Sequence, residues 1–521
     1  MSKPKTHLKQ FRGKKRTEQI LNDADDYLAA AVDDEDAMGK HRGGDALKSI
    51  RFGRKALELY SQGLKKYPQS FDLAYNKARL ELELATHPVL VRVLDVPIAT
   101  LLQQSFSSHQ YALQIVPDDA DTLFNAAQVL TALAEQIGNT DDDSDAQALR
   151  LLEQALEYQQ ECLRVQELNY AETRAIQNRI AHEANDSEDD DGGAKIDSST
   201  TTAFEDREAE EQWFSIVEPV TASTLMDTLL AQMSTLTTLC SIVVSALSSN
   251  PDSQPRISLS WIETYYTKLV TIALPALLEA DKQALQSRMG EAALTQALLR
   301  GTLLELAYRT TAIDLETYKK EIDAAFSVSE LDTTSSADPL LAHAKSLISF
   351  NGALVDTIQI RSGNAIDAQA NVRWNALSRA QKLLAAAASL DSAKADTTVL
   401  AMTHLLRGDT SLLLHALSYP PTSFTPAITS KAQLLKNAEV FYRNASKLMG
   451  SAGQDEGGSK DVAGFRCGVV QVLQSSDATT DQIIASNIIQ ALSSTRNDDW
   501  RREQLRDMVD EGLVGTLFDL Q

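Results

Sequence analysis

Cysteine is scarce in this chain, and the cysteines that are present stand far apart. Cys162, Cys240 and Cys467 each lie in an apolar, helix-like run. None has a partner at the spacing of a disulfide framework or a zinc site, so a reducing compartment is expected, cytoplasmic, nuclear or both. The histidines are scattered as well, and neither His404 nor His415 has a second ligand at metal-binding spacing. We expect no metal and no cofactor.

Motifs that mark catalysis are also missing. The glycine pairs at 43–44 and 192–193 lack the lysine and the helix context of a phosphate-binding loop. No Gly-x-Ser-x-Gly nucleophile motif occurs. We therefore expect a protein that is not an enzyme. The alternative is an all-α enzyme whose site is assembled only in the folded chain, since distant residues can meet in space.

Long hydrophobic runs and an excess of basic residues are absent too. No segment reaches the roughly 18 consecutive apolar residues that span a bilayer, so no membrane interaction is predicted. No apolar stretch follows the basic N-terminus, so no secretory signal is predicted either. Lysine and arginine total 49 against 72 aspartate and glutamate, a net charge of −23. That charge disfavours nucleic acid and favours a basic protein partner, although solubility alone is the other interpretation.

The chain is rich in helix-forming sequence instead. Alanine and leucine dominate an apolar content of 43%, aromatic residues make up 6%, and no alternating strand pattern with hairpin turns is present. Ala56, Tyr60 and Gly63 share one helical face at i, i+4 and i+7, and Pro68 ends that helix. The sequence therefore predicts an all-α fold.

An internal repeat supports helix pairs. The stretches 72–78 and 121–127 both carry aspartate, an aromatic three residues on, asparagine and alanine in register. The small–aromatic–small face of Ala56, Tyr60 and Gly63 also returns in weaker form. Those positions are Ser105, His109, Ala112 and Pro117, then Ala380, Leu384 and Ala387, then Ala438, Tyr442 and Ala445.

These faces resemble tetratricopeptide repeats, best over residues 45–165. The resemblance implies an α-solenoid of stacked antiparallel helix pairs whose concave surface binds other proteins. Co-chaperones of this family grip a C-terminal carboxylate with lysine, arginine and asparagine on successive first helices. Asn76 and Asn125 are therefore candidate groove contacts. Asp72 and Asp121, one turn earlier, would repel a carboxylate.

Both pairs of residues have alternative interpretations. The asparagines could instead tie adjacent helices together through their amides. The aspartates suit N-terminal helix capping.

Two charged segments accompany the repeats. Residues 1–16 form a basic arm in which Lys14, Lys15 and Arg16 are a candidate nuclear import signal. A disordered solubilising tail, or an arm folded back on the acidic segment, are the alternatives. Residues 184–211 form an acidic segment whose composition predicts a disordered linker.

The acidic segment supplies the candidate contacts to a basic client. These are Asp186, Glu188, Asp189, Asp190 and Asp191. Ser187 stands directly before Glu188, Asp189 and Asp190 and is a candidate phosphorylation site, because that context suits an acidophilic kinase.

The predicted organisation has six parts. They are the basic arm (1–16), N-terminal repeats (17–183), the acidic linker (184–211), a second helical-repeat region (212–450), a flexible loop (451–461) and capping helices (462–521). The sequence leaves open the oligomeric state and whether residues 212–521 continue one superhelix or form a separate bundle.

This layout resembles repeat chaperones of histones and ribosomal proteins that carry an acidic insertion. It implies a non-catalytic scaffold, in its sharpest form a chaperone or escort for a basic nuclear or ribosomal protein. The alternative is a heat-shock co-chaperone or assembly subunit that binds peptides through the groove alone.

Overall fold

The structure, a computed structural model, describes residues 21–138, 142–186, 219–249, 258–360, 366–451, 459–475 and 498–514. Within these ranges every regular element is helical, which confirms the predicted all-α class. The chain divides into a first unit of residues 1–242 and 260–286 and a second unit of residues 243–259 and 287–521. Both flanks of the predicted linker therefore belong to the first unit.

Eleven α-helices are described up to residue 285. They are α1 (Ala24–His41), α2 (Ala46–Lys66), α3 (Phe71–Thr86), α4 (Pro88–Val91), α5 (Ile98–Ile115), α6 (Ala120–Ile137), α7 (Asp142–Asp186), α8 (Ala222–Ser249), α9 (Leu259–Thr267), α10 (Leu274–Ala280) and α11 (Lys282–Leu285). A π-helical segment, Lys268–Ala273, joins α9 to α10.

The remaining described helices belong to the second unit. They are α12 (Met289–Arg309), α13 (Leu315–Ala325), α14 (Asp338–Ile360), α15 (Ile366–Ser389), α16 (Asp391–Ala395), α17 (Thr397–Ala416), α18 (Thr425–Ser451), α19 (Ser459–Ser475) and α20 (Asp498–Asp510). Residues 476–497 and 515–521 of the predicted capping helices and residues 452–458 of the predicted loop lie outside the described residues.

Helices that are neighbours in sequence pack on one another within each unit. In the first unit α1 contacts α2, α2 contacts α3, α3 contacts α5, α5 contacts α6 and α6 contacts α7. In the second unit α12 contacts α13, α14 contacts α15, α15 contacts α17, and α17 and α19 both contact α18. Short connections make such neighbours antiparallel hairpins. Stacked helix pairs are therefore present in each unit, as the sequence predicted.

The small face of α2 lets the first helices approach closely. Ala56 and Tyr60 are 0% exposed. A Cβ atom at Gly63 would lie 2.8 Å from Leu73 Cδ1 and 3.0 Å from Tyr27 Cβ. Because real Cβ contacts essentially never fall below 3.0 Å, only glycine fits here without a shift. The absence of a side chain at Gly63 therefore lets Tyr27 of α1 and Leu73 of α3 pack directly against α2.

The same face is buried in the second unit. Ala438, Tyr442 and Ala445 on α18 are all 0% exposed. Gly408 on the neighbouring helix α17 lies against the Tyr442 ring, and a Cβ atom there would be 2.4–2.8 Å from three ring atoms. A missing side chain on one helix thus accommodates the aromatic residue of the next.

A buried cluster of charges explains why α1 continues through its acidic run. Glu35 accepts a hydrogen bond from the Tyr60 hydroxyl on α2 and pairs with Arg79 on α3. The side chains of Glu35 and Arg79 are each 9% exposed. Burial raises the pKa of Glu35, and the attraction of Arg79 opposes that rise. Four consecutive acids at 33–36 oppose the helix dipole and predict that a helix ends there. That prediction is wrong, since α1 continues to His41 with a carboxylate from the run paired inside the unit.

The second unit repeats this cluster with the same residue types in the same helix order. Asp409 on α17 accepts hydrogen bonds from the Tyr442 hydroxyl on α18 at 2.8 Å and from Arg466 on α19 at 2.6 Å. Arg466 also pairs with Glu511 at 2.9 Å. In both units an acid, a tyrosine and an arginine join three helices, and the tyrosine is the aromatic residue of the small face.

Other helix boundaries differ from the sequence prediction for local reasons. The sequence predicts two helices here, at about 145–164 and 170–183, but α7 is a single helix of 45 residues. It contains no glycine or proline, so nothing in the backbone interrupts it. It also extends to Asp186, three residues into the predicted linker. The sequence also predicts a kink or break at Pro275. Helical structure instead continues past this proline as α10, and the π-helical segment Lys268–Ala273 stands directly before it.

Aspartate side chains start several helices, although not the two that the sequence suggested. Asp119 caps α6 by accepting from the Thr122 backbone N–H at 2.9 Å. Ser70 occupies the cap position of α3. Asp72 and Asp121 lie instead inside the first turns of α3 and α6. There their charge is favourable because it faces the positive end of the helix dipole.

Candidate binding grooves

One open groove of the first unit lies between α2, α3 and α5 and has a volume of about 460 Å³. It is lined by Ser61, Leu64, Lys65, Ala74, Lys77, Gln104, Ser107, Ser108 and Tyr111. Lys77 Nζ lies 3.0 Å from Ser108 Oγ and 3.2 Å from the Glu81 carboxylate. The Tyr111 hydroxyl donates to the Pro68 carbonyl at 2.7 Å. Hydroxyl, amide and ammonium groups stand on walls whose exposed surface is mainly carbon, so this groove offers both hydrogen bonds and apolar contacts.

An open groove of the second unit lies between α13, α14 and α15 and has a volume of about 200 Å³. It is lined by Lys319, Ile322, Asp323, Leu347, Phe350, Asn371, Val372, Asn375, Ala376 and Arg379. Its floor is apolar, because Ile322, Leu347 and Phe350 come from the core of the unit. Its rim is polar and carries exposed amide and charged groups.

The charges on this rim are only partly compensated. Asp323 pairs with Arg379, and His343 Nε2 lies 3.9 Å from the same carboxylate. The His343 ring stacks on Phe326 with ring centroids 4.7 Å apart. Burial lowers the pKa of His343 to about 4, so the imidazole is neutral at neutral pH. Lys319 makes no ion pair with any residue that the structure describes.

The two grooves occupy equivalent places in their units. Each is formed by two second helices of consecutive hairpins, α2 and α5 or α13 and α15, on either side of one first helix. The repeat resemblance implied contacts along successive first helices instead. The sequence missed these grooves because their lining residues belong to three helices and share no motif.

The candidate contacts Asn76 and Asn125 are buried. They are 0% and 2% exposed. The Asn76 amide donates to the backbone carbonyl of Asp72 in its own helix at 2.8 Å. A ligand lying in an open groove would reach neither amide without displacing the residues that cover it.

The candidate contacts to a basic client fall mostly beyond the described part of the chain. Asp186 is the last residue of α7. Ser187, Glu188, Asp189, Asp190 and Asp191 lie outside the described residues, and so do Lys14, Lys15 and Arg16.

The cysteines and three of the histidines, His109, His343 and His415, are enclosed by packing. The three cysteines are buried. Burial raises the pKa of Cys162 and of Cys240 to about 12, so both are thiols at neutral pH. Burial lowers the pKa of His109 and of His415 to about 4. No group of three metal-ligating side chains occurs in the described ranges.

Helix α8 is apolar and long enough to cross a membrane by length and composition, over Ala222–Ser248. More than half of its apolar window, 56%, is buried inside the protein. Two of its threonines are paired with α7, since Thr228 donates to Gln166 at 2.7 Å and Gln159 donates to Thr235 at 3.0 Å. Part of the apolar surface of α8 is therefore buried against α7.

The chain resembles known proteins over part of its length or at low identity. No protein-family model matches the chain. UPF0656 protein C926.02 of Schizosaccharomyces pombe is 35% identical over 128 residues, which is 25% of this chain and 28% of that protein. A solved chain described as a "Circular tandem repeat protein with novel repeat topology and enhanced subunit contact surfaces" aligns over 94% of this chain and 96% of its own length. Its identity is 10% and its TM-score 0.28, a similarity too low to inform function.

Proposed function

We propose that this protein is a non-catalytic scaffold that binds other proteins, and that it is a chaperone or escort for a basic nuclear or ribosomal client. The observation that carries the proposal is a contrast between the side chains that are buried and those that line the open grooves. Among the described residues, the cysteines and His109, His343 and His415 are enclosed by packing. The open grooves present amide, hydroxyl, ammonium and apolar groups, which is the chemistry of recognition.

The helix packing supports a scaffold of the tetratricopeptide type. Small residues at Gly63, Gly408 and Ala445 let neighbouring helices nest, and stacking of such pairs leaves surfaces on several helices open to a partner. Fold by itself does not assign a function, so the proposal depends on the grooves and on charge.

Charge supports a basic client. The chain carries a net charge of −23, and residues 186–191 contain five acids in six positions. A cluster of one sign attracts an oppositely charged partner over about 10 Å at 0.1 M salt and speeds its association. The clustered acids are therefore proposed as the first contact with the client.

Binding to defined basic proteins tests this proposal. The full chain is mixed with purified core histones and with total ribosomal protein after nuclease treatment, at about 0.1 M and about 0.5 M salt. In the test variant the run Asp186, Glu188, Asp189, Asp190 and Asp191 is changed to amides. We expect weaker binding by the variant and by the wild type at high salt, because both changes reduce the attraction.

A matched control separates the acidic run from total charge. Five exposed acids elsewhere in the first unit are changed to amides: Asp25, Asp33, Asp36, Asp118 and Glu157. The proposal requires this control to bind nearly as well as the wild type. Equal loss in both variants would contradict a role for the run. Salt-resistant binding that both variants retain would favour peptide recognition through the grooves alone.

Two smaller parts of the proposal rest on the sequence. Phosphorylation of Ser187 would add about 1.5–2 negative charges and strengthen the acidic run. Mass spectrometry of protein from its native cells should find that phosphate, and its absence would remove this part.

Replacement of Lys14, Lys15 and Arg16 by alanine should shift a fluorescent fusion from nucleus to cytoplasm, and an unchanged distribution would remove the import signal.

A further inference from the structure

The groove between α13, α14 and α15 fits a partner unlike a basic client. We propose that it binds an extended peptide segment that inserts one apolar side chain and carries a carboxylate next to it. This inference does not rest on the acidic run at 186–191, and it concerns a different unit of the chain.

The size and the lining of the groove favour a side chain over a small molecule. Its volume of about 200 Å³ is below the roughly 300–1,000 Å³ of sites that enclose drug-sized ligands. Ile322, Leu347 and Phe350 form a rigid apolar floor, because each also packs in the core of the unit. A small apolar pocket of this kind suits an aliphatic or aromatic anchor residue of a larger partner.

The amides on α15 favour an extended backbone beside that anchor. Asn375 Nδ2 donates to Asn371 Oδ1 at 3.3 Å. The Asn371 amide nitrogen and the Asn375 amide oxygen have no partner among the described residues, which leaves a donor and an acceptor on two residues that line the groove. Residues four apart on a helix are about 6 Å apart along its axis. An extended chain presents its N–H and C=O groups to one side at a repeat of about 6.7 Å. That repeat is close to the spacing of Asn371 and Asn375 along α15.

The charge on the rim favours a carboxylate. The lining residues include two cations, Lys319 and Arg379, and one acid, Asp323. Asp323 pairs with Arg379, which compensates both of those charges. Lys319 is exposed and makes no ion pair with a described residue. An aspartate or glutamate beside the anchor would pair with Lys319, whereas a lysine there would be repelled.

Peptide selection on the full chain tests the proposal. A phage-displayed library of random peptides of about ten residues, long enough to cross the groove when extended, is selected on the wild type. Parallel selections use Lys319→Glu and the control Lys320→Glu. Lys320 is the next residue on α13, exposed and outside the groove lining.

The wild type and Lys320→Glu should enrich peptides in which an apolar residue stands within a few positions of an acid. Lys319→Glu should keep the apolar preference and lose the acidic one. In synthetic copies, change of the anchor to alanine should weaken binding about tenfold or more, and change of the acid to lysine about threefold. The double variant Asn371→Ala, Asn375→Ala should weaken all selected peptides alike, because it removes contacts to the backbone.

Three outcomes would overturn the inference. They are the absence of any enriched peptide, enrichment without an apolar–acidic pair, and an equal effect of Lys319→Glu and Lys320→Glu. Enrichment of purely basic peptides would instead report the acidic run at 186–191, so failure of this inference and failure of the proposed function are distinguishable. Circular dichroism of each variant verifies that these exposed substitutions leave the helices intact.

Discussion

At the residue scale, the packing of the helices depends on positions that carry no side chain or only a methyl group. Gly63 lies against Leu73 and Tyr27, and Gly408 lies against Tyr442. At both positions the space that a side chain would fill is occupied by a residue of the neighbouring helix. The aromatic residue and the glycine are therefore one packing unit, although they belong to different helices.

Replacement of Gly408 by alanine should destabilise the second unit. The added methyl group would lie 2.4–2.8 Å from the Tyr442 ring, and overpacking of this kind costs about 1–3 kcal/mol. Gly352 on α14 is the matched control, because a Cβ atom there meets nothing within 4 Å. Gly352→Ala should stabilise by about 0.5–1 kcal/mol through helix propensity. Urea unfolding followed by circular dichroism measures both, and equal midpoints for the two variants would refute the packing explanation.

At the element scale, buried polar clusters join particular helices to one another. In the first unit Glu35, Tyr60 and Arg79 join α1, α2 and α3. In the second unit Asp409 and Arg466 join α17 and α19 through Tyr442. A carboxylate buried without partners would be costly, so each cluster favours one arrangement of its three helices.

Asp409→Asn should be more damaging than Tyr442→Phe. Loss of the Tyr442 hydroxyl removes one buried hydrogen bond and leaves Asp409 paired with Arg466, at a cost of about 1–2 kcal/mol. Asp409→Asn leaves the Arg466 guanidinium buried with only Glu511 as its charged partner, and breaking a buried pair costs about 3–5 kcal/mol. The unfolding midpoints of the two variants check this order. A larger loss for Tyr442→Phe would show that packing of the ring hydroxyl outweighs the charge pair.

Element boundaries show how local signals compete with tertiary contacts. The start of α6 at Ala120 and the end of α2 at Lys66 follow from capping by Asp119 and from Pro68. The passage of α1 through residues 33–36 does not follow from local signals, because clustered acids disfavour a helix until Arg79 from another helix compensates one of them.

At the scale of the whole molecule, neutral histidines are buried in both units. Burial lowers the pKa of His109, His343 and His415 to about 4, from 6.5 in the unfolded chain. Protons therefore bind to the unfolded chain first as the pH falls. The stability that these groups contribute is complete above about pH 6.5 and is lost as the pH falls through about 4.

His109→Gln should make stability less dependent on pH between about 4.5 and 7. The expected reduction is on the order of 3 kcal/mol, since one pKa unit corresponds to about 1.4 kcal/mol. Buried carboxylates such as Asp409, whose pKa is raised by burial, act in the opposite direction. The comparison with wild type at each pH isolates the histidine. His41→Gln, at a half-buried position, is the control, and parallel pH profiles for wild type and His109→Gln would contradict the assignment.

The sequence by itself determined the helical class, most helix positions and the small faces of α2 and α18. These properties are local, because periodicity, capping and proline stops act over a few residues of one segment. It also determined the net charge and the acidic run, which are matters of composition.

The two grooves, the acid–tyrosine–arginine clusters and the burial of Asn76 and Asn125 exist only because of the tertiary structure. Each depends on side chains that three helices bring together, and loops of different lengths hide any common spacing. Asparagines that recur in register along a helix face predict, from sequence alone, that the face is exposed for binding. Whether it is covered depends on the helix that packs against it.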